Sequence, residues 1–301
     1  MVAHIRIGIV DIGSNAIRFL ITETNGLEHR TLESHRLAVR LGQNVFQSGW
    51  LTEPAMAATV EAFQKFRGSC DRHHVSKTRA IATAAMRAAK NSTELIERVR
   101  DASQFEIDVI SGEQEAQLLK LGTETKVDLS KGRSLLVDVG GGSVEVVIVD
   151  KGSLQSTASY PLGALRILEQ FRDTAPDQFV DRVRTHLKQH LQLDLSTQAD
   201  RYVAVGGNIE CLADLISGTT GSESCSIADL KRQITSLAKL TTDDRITQQG
   251  LRPDRADAIV PAGLAYLHLA QLANVTSVHV PRTGIKEGLI AETSGLTSKS
   301  D

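Results

Sequence analysis

Two short runs end an apolar segment on an aspartate and follow it at once with small residues: Asp11-Ile12-Gly13-Ser14-Asn15 and Asp138-Val139-Gly140-Gly141-Gly142-Ser143. Glycine and serine at a turn let main-chain N–H groups approach an anion with no Cβ in the way, which makes a phosphate-sized nest. An aspartate beside such a nest repels phosphate unless a divalent cation stands between them. Asp11 and Asp138 at these tips therefore imply Mg2+, with Mn2+ as the alternative. A hairpin turn that needs glycine for positive φ, with an Asx turn at the aspartate, would explain either run alone. Two facing copies are instead the clamp that phosphoryl transfer needs. A third run, Tyr202-Val203-Ala204-Val205-Gly206-Gly207-Asn208, carries an apolar strand through two glycines into a helix read over 209–216. Such a junction aims helix N–H groups and the positive dipole end at a ligand, although αL glycines also cap many helices for purely structural reasons.

The elements around these tips repeat. Residues 4–10 and 16–24 read as strands on either side of the first tip, and residues 134–137 and 144–151 do the same for the second. Asp11 and Asp138 lie 127 residues apart, close to half the chain, so two related halves are expected. A dinucleotide fingerprint is excluded at the second tip because Glu145 stands where its third glycine belongs and Val144, Val146 and Ile148 alternate as a strand.

The 301 residues suit two domains, each large enough for its own core. The balance of 34 Lys+Arg against 36 Asp+Glu and an aromatic content of 4% argue against nucleic acid as partner. No run approaches a membrane span, so no membrane is expected either. Cys70, Cys211 and Cys225 form no C-x-x-C, which excludes a zinc cage and fits a reducing cytoplasm. Walker A, G-x-S-x-G, H-E-x-x-H and His-Asp signatures are all missing. His73-His74 reads as a solvated helix end, since adjacent helical positions diverge by about 100°.

Candidate chemistry outside the tips centres on Glu115, in the first turn of a helix read over 113–122 and delivered by the strand Phe105–Ile110. Ionised there it could deprotonate a water; a plain dipole partner is the alternative and explains Glu113 adequately. Arg87, where the strand 78–82 turns into a helix, could grip a phosphate oxygen pair in a fork. Glu145 lies seven residues past Asp138 on the returning strand, and the bend between them leaves its facing undecided by parity. Helices are expected over about 161–172, 176–192, 226–241 and 254–273, the last kinked at Pro261, with another opened by Thr52 as N-cap and carrying Met56, Val60 and Phe63 on its core face.

The three glycine tips resemble the phosphate motifs of the actin, Hsp70 and sugar-kinase superfamily. Within it, Ile110-Ser111-Gly112-Glu113-Gln114-Glu115-Ala116 and Ala82-Thr83-Ala84-Ala85-Met86-Arg87-Ala88-Ala89 are similar to the exopolyphosphatase and guanosine pentaphosphate phosphatase (Ppx/GppA) family. Arg40-Leu-Gly-Gln, Pro261-Ala-Gly and Gly284-Ile-Lys-Glu-Gly extend the match, in the short two-domain form.

The resemblance implies an α/β chain of two ribonuclease-H-like domains with an interdomain cleft: an actin-like domain over 1–126, a second over 127–301, a hinge near 123–133, and a last helix near 284–294 returning to the first. It implies an Mg2+-dependent exopolyphosphatase that releases terminal orthophosphate from inorganic polyphosphate, or a hydrolase of guanosine pentaphosphate. Turnover of another class, ATP-dependent phosphorylation of an acceptor, fits the hairpins but lacks the Ser-Gly-x-x-Glu-Ala segment. A regulatory protein that binds nucleotide or polyphosphate without turnover is a further alternative.

In site terms the resemblance gives Glu115 as base, Asp138, Glu145 and Asp11 near the metal, and Gly13, Ser14, Asn15, Arg18, Arg40, Arg87, Gly140, Gly141, Gly142, Ser143, Gly206 and Gly207 on phosphate. Arg166 and Lys286 are fainter candidates. Gln114 replaces the family's usual Glu, and Val280-Pro281-Arg282-Thr283-Gly284 stands where the family usually shows an acidic residue followed by a basic one, so that Arg282 could instead add positive charge to the cleft. A homodimer is expected from the family alone.

Overall fold

The structure, a computed structural model, describes residues 4–25, 29–193 and 199–295. The chain divides into two compact units, one holding the chain up to Gly122 together with the stretch from Ile285 on, the other Thr123–Gly284. The division read from sequence at 126/127 lies four residues further along, and the last helix packs in the first unit, where the sequence reading placed it.

The first unit is a five-stranded sheet in the order β3-β2-β1-β4-β5. Its strands are β1 (Ile5–Ile12), β2 (Ile17–Thr24), β3 (His29–Leu37), β4 (Lys77–Ala82) and β5 (Ile107–Val109). The helices are α1 (Val45–Ser48), α2 (Glu53–Arg72), α3 (Ala84–Ala88), α4 (Ser92–Ser103) and α5 (Gly112–Glu124). β1 to β3 form an antiparallel meander, while β1, β4 and β5 run parallel. Four of the chain's phenylalanines meet over one sheet face: Phe19 stacks on Phe66 at 4.3 Å and Phe63 meets Phe105 edge-on at 5.2 Å. The few aromatics are thus core material. α2 follows Thr52 as its N-cap residue, yet the hydroxyl makes no capping bond, and Val60 is half-buried where Met56 and Phe63 are buried. His73 departs from the solvated reading, since its ring bonds Glu33 at 3.0 Å.

The second unit repeats the plan as β10-β11-β9-β6-β7-β8. Here the strands are β6 (Arg133–Val139), β7 (Val144–Asp150), β8 (Ser153–Tyr160), β9 (Arg201–Val205), β10 (Ser224–Ser226) and β11 (Ser277–His279). Its helices are α6 (Ala164–Gln170), α7 (Pro176–His190), α8 (Gly207–Ser217), α9 (Ile227–Ala238), α10 (Thr242–Gln249), α11 (Pro253–Ala256) and α12 (Ile259–Leu272). β6, β7 and β8 form the meander, and β6, β9 and β11 the parallel part, so the sheets share one strand order apart from the extra edge strand β10.

The helix read over 254–273 is broken into α11 and α12, and Pro261 sits in the first turn of α12. There the missing N–H removes no intrahelical bond, while the ring would clash with a carbonyl in a continuous helix, so the proline separates two helices instead of kinking one. The chain closes with α13 (Ile285–Ser294), whose Leu289 and Ile290 pack with Ile7, Ile9, Ile81 and Leu118 in the first unit. Gly288 permits this contact, because a Cβ there would collide with the Leu118 carbonyl. Cys70 and Cys225 are buried thiols, each pushed up to about 11 by burial. No helix among the described residues is long and apolar enough to cross a membrane.

Candidate functional site

In the first unit the β1–β2 tip is pinned from behind. Gly13 N–H donates to the Ala16 carbonyl at 3.1 Å, Gly42 N–H to the Ser14 carbonyl at 2.8 Å, and Arg40 N–H to the Asn15 carbonyl at 3.1 Å. Because each peptide plane is trans, engaging the carbonyls of Ser14 and Asn15 on one side turns the N–H groups of Asn15 and Ala16 to the other. Arg40 holds φ 54°, the left-handed region that a non-glycine residue occupies only at a cost of about 1–2 kcal/mol. Its N–H is part of the pinning, and its side chain lines a groove of about 590 Å3 beside Gln43, Thr52 and Pro54. Asp11 and Arg18 face each other across the hairpin, 3.1 Å apart.

Beside this tip, β4 delivers Arg87 on α3, and β5 delivers Glu115 in the first turn of α5. One guanidinium nitrogen of Arg87 donates both to the Ile110 carbonyl at 2.8 Å and to Glu115 Oε2 at 2.9 Å. Glu115 is only 5% exposed. Burial pushes its carboxyl up to about 7; Arg87 opposes the rise and Asp11 adds to it. A carboxyl poised there can exist as a base at neutral pH and still hold the proton it removes.

Gln114 has a different employment. Its Oε1 accepts from Ser111 N–H at 2.8 Å while Ser111 Oγ accepts from Gln114 N–H at 3.1 Å, a reciprocal cap on α5. Glutamine and glutamate serve this cap equally, which accounts for the substitution.

In the second unit the β6–β7 tip is built the same way, with Gly140 N–H donating to the Ser143 carbonyl at 3.0 Å. Ala164 N–H takes the Gly140 carbonyl at 2.9 Å, Leu165 N–H the Gly141 carbonyl at 2.8 Å, and Arg166 Nε the Gly142 carbonyl at 3.0 Å. The N–H groups of Gly141, Gly142 and Ser143 therefore face away from α6 in succession, an anion nest. None of the three glycines has positive φ, contrary to the turn requirement read from sequence. The close approach here is that of Gly163 to the tip, where a Cβ would strike the backbone of Gly142. Arg166 is thereby a brace of the tip.

Asp138 and Glu145 are a directly opposed cross-strand pair, so their side chains leave the sheet on one face. Glu145 is 1% exposed and accepts a hydrogen bond from Ser159 Oγ on β8 at 3.0 Å. Gly206, at φ 95°, closes on the same carboxylate, since a Cβ there would stand 2.5 Å from Asp138 Oδ1. α8 starts at Gly207, and the Arg255 guanidinium carbon lies 3.2 Å from where a Gly207 Cβ would be.

Glu145 is buried and Asp138 partly so, and two opposed carboxylates repel each other unless donors or a cation offset the charge. The donor set is hard oxygen. Among the described residues no cluster of three or more His, Cys, Asp or Glu could hold a metal. A pair of carboxylates is nonetheless what Mg2+ takes when waters and substrate phosphates complete its octahedron. Asp138 and Glu145 fit that requirement; Asp11, in the first unit, is ion-paired to Arg18.

Of the remaining candidates, Lys286 pairs with Glu287 at 3.0 Å. Arg282 also takes φ 55°, and its guanidinium bonds the Asp214 carboxylate and the Ser222 carbonyl. It locks the loop after α8 and does not stand as a spare cation. Sequence reasoning missed Ser159, Arg255 and the buried Tyr266, which spans Val139 and Val205. Ser159 is 14 residues from Glu145 and opposes it only once β7 and β8 pair. Arg255 reaches Gly207 from a four-residue helix with no periodic signal.

Two sheets of one plan, each with a pinned glycine tip at the carboxyl end of parallel strands, define a ribonuclease-H-like protein of two α/β units. Comparison with known proteins narrows that class. A profile of the Ppx/GppA phosphatase family matches residues 20–296, and the chain belongs to that family. It is 27% identical to exopolyphosphatase 1 of Mycobacterium bovis over 95% of this chain and 87% of the relative. Identity to the guanosine-5'-triphosphate,3'-diphosphate pyrophosphatase of Photobacterium profundum is 25%, over 94% of this chain and 58% of that one. The crystal structure of an exopolyphosphatase from Cytophaga hutchinsonii superposes with a TM-score of 0.89 at 27% identity, covering 96% of this chain and 98% of that one. An Aquifex aeolicus family member, 23% identical, shares the fold with a TM-score of 0.82 over 99% and 100% of the chains.

Proposed function

We propose that this protein is an Mg2+-dependent exopolyphosphatase, Mn2+ being able to replace Mg2+, which removes orthophosphate from the end of inorganic polyphosphate. The observation that carries the reading is Glu115, a buried carboxyl raised to about 7 and held at 2.9 Å by Arg87. In this reading Glu115 takes a proton from water as the water oxygen bonds to the terminal phosphorus. The anhydride P–O bond breaks, its electron pair leaves with the shortened chain, and the proton is later lost to solvent. Arg87 offers its guanidinium to the oxygens of the attacked phosphoryl group while fixing the base.

Within the second unit, the tip amides of residues 141–143 and the start of α8, with Arg255 beside it, offer positive ends to phosphate oxygens. Asp138 and Glu145 would hold the cation, which when bound neutralises charge on the leaving phosphate.

Guanosine pentaphosphate presents the same terminal anhydride, and the guanosine pyrophosphatase among the relatives favours it as the second substrate. Phosphate release from a defined polyphosphate and from guanosine pentaphosphate, side by side, tests the assignment. A rate on polyphosphate at least tenfold the higher supports it; the reverse order reassigns the substrate, and release from neither removes the function. Unpaired, buried thiols support a reducing, cytoplasmic setting. The homodimer rests on the family resemblance and is read by light scattering.

A further inference from the structure

β6 and β9 run parallel in register as far as Asp138 opposite Val205. Beyond that pair one strand turns into the glycine tip and the other into Gly206 and α8, so the strands must part. At the fork the Tyr266 hydroxyl accepts from Val139 N–H at 3.1 Å and donates to the Val205 carbonyl at 2.6 Å. A direct ladder bond would draw N and O to about 2.9 Å; the phenol holds them one hydroxyl apart.

Both partners are immediate neighbours of site residues, Val139 of Asp138 and Val205 of Gly206. The phenol oxygen itself is 3.6 Å from where a Gly206 Cβ would stand. Tyr266 is fully buried on α12, and that helix is itself anchored to β9, where Tyr202 donates its hydroxyl to the Tyr266 carbonyl at 3.0 Å. A buried tyrosine hydroxyl needs a partner, and any stray carbonyl would do. Here it takes a donor and an acceptor at the ends of two different strands, which fixes the gap between them.

We infer that Tyr266 is a positioning residue: its hydroxyl is a staple across the β6–β9 fork that sets the distance between the Asp138 carboxylate and the Gly206 turn, and through it the cation affinity of the site. The cation part of this inference rests on the proposed function; the staple does not.

The test compares Tyr266→Phe with Tyr202→Phe, which loses the buried hydroxyl that anchors α12 but keeps both bonds of the Tyr266 hydroxyl. Two readouts are taken, Mn2+ binding to the free protein by electron paramagnetic resonance and hydrogen–deuterium exchange of the segment around Val139. In Tyr266→Phe the half-saturating Mn2+ concentration rises about tenfold, the usual effect of removing a group that orients a ligand, and exchange around Val139 quickens at least about tenfold as its amide loses a partner. In Tyr202→Phe the Mn2+ affinity stays within about twofold. Equal shifts in both variants, unchanged protection in Tyr266→Phe, or outright unfolding of that variant would each overturn the staple. If the wild-type protein binds no Mn2+ and releases no phosphate, the proposed function fails instead, and exchange around Val139 still decides the staple.

Discussion

The two hairpin tips share a backbone and differ in one charge. In each, an aspartate is followed two residues later by a glycine whose N–H bonds a carbonyl three residues on, and a segment beyond the third strand caps the tip from behind. The residue opposite the aspartate is Arg18 in the first unit and Glu145 in the second. The first pair is an ion pair; the second sets two carboxylates opposite each other, the pair to which the proposed function gives the cation. The strand ends beside them diverge in the same sense. β4 passes through Thr83 into a short helix that carries Arg87, whereas β9 passes through Gly206 into a helix start open to an anion. The two units thus carry different groups on one strand plan: a carboxyl and guanidinium pair, Glu115 and Arg87, in the first, and a pair of opposed carboxylates, Asp138 and Glu145, in the second.

The largest effect should come from erasing that difference. Glu145→Arg rebuilds the first hairpin's pair in the second, and hydrolysis is expected to drop about 10³-fold, together with divalent-cation binding. A variant that keeps its rate and its Mg2+ requirement would mean that the two tips are not specialised as described. Next in size, Glu115→Gln should lower phosphate release at least about 10²-fold while polyphosphate and Mn2+ still bind. Undiminished turnover would remove Glu115 from the chemistry and favour a protein that binds without hydrolysing.

Gly206→Ala sharpens the comparison at the strand ends. It meets both a positive φ and the Asp138 carboxylate, and should cost about 1–3 kcal/mol in denaturant unfolding. Thr83→Ala, at an ordinary negative φ, should cost less.

The smallest effects are those of pH. If Glu115 is the base proposed, it must be ionised to act, so kcat/KM should rise with pH along a limb centred near 7. Arg87→Met should move that limb upward, because Arg87 opposes the rise. Stability should run the other way. The folded carboxyl titrates near 7 and the unfolded one near its ordinary 4.5. Between those values the folded state holds the extra proton, and stability falls as pH climbs through the window. Melting temperatures of Glu115→Gln should lack that decline; parallel curves for the two proteins would show that Glu115 does not titrate in this range.

Much of the frame was legible because it rests on local rules. Strand alternation around Asp11 and Asp138, and the glycine tips themselves, needed only neighbouring residues to be read. The cap of Ser111 and Gln114 also lies within one turn, although in the sequence Gln114 stood out only as a replacement for the family's usual Glu. The site was less legible where it depends on pairing. Parity could not place Glu145, and only the β6–β7 register sets it opposite Asp138. Arg282 looked like a cation for the cleft until Asp214, 68 residues away, was found holding it.

By itself, then, the amino-acid order determined two related α/β halves, three phosphate-type turns and a short set of carboxylates and arginines, because turn chemistry and strand period act over a few residues. Tertiary structure alone decided which of these groups meet: Arg87 with Glu115, Asp138 with Glu145 and Gly206, Tyr266 with the fork between two strands. Burial and long-range pairing set those contacts and the raised carboxyl of Glu115, and neither quantity exists until the sheets have formed.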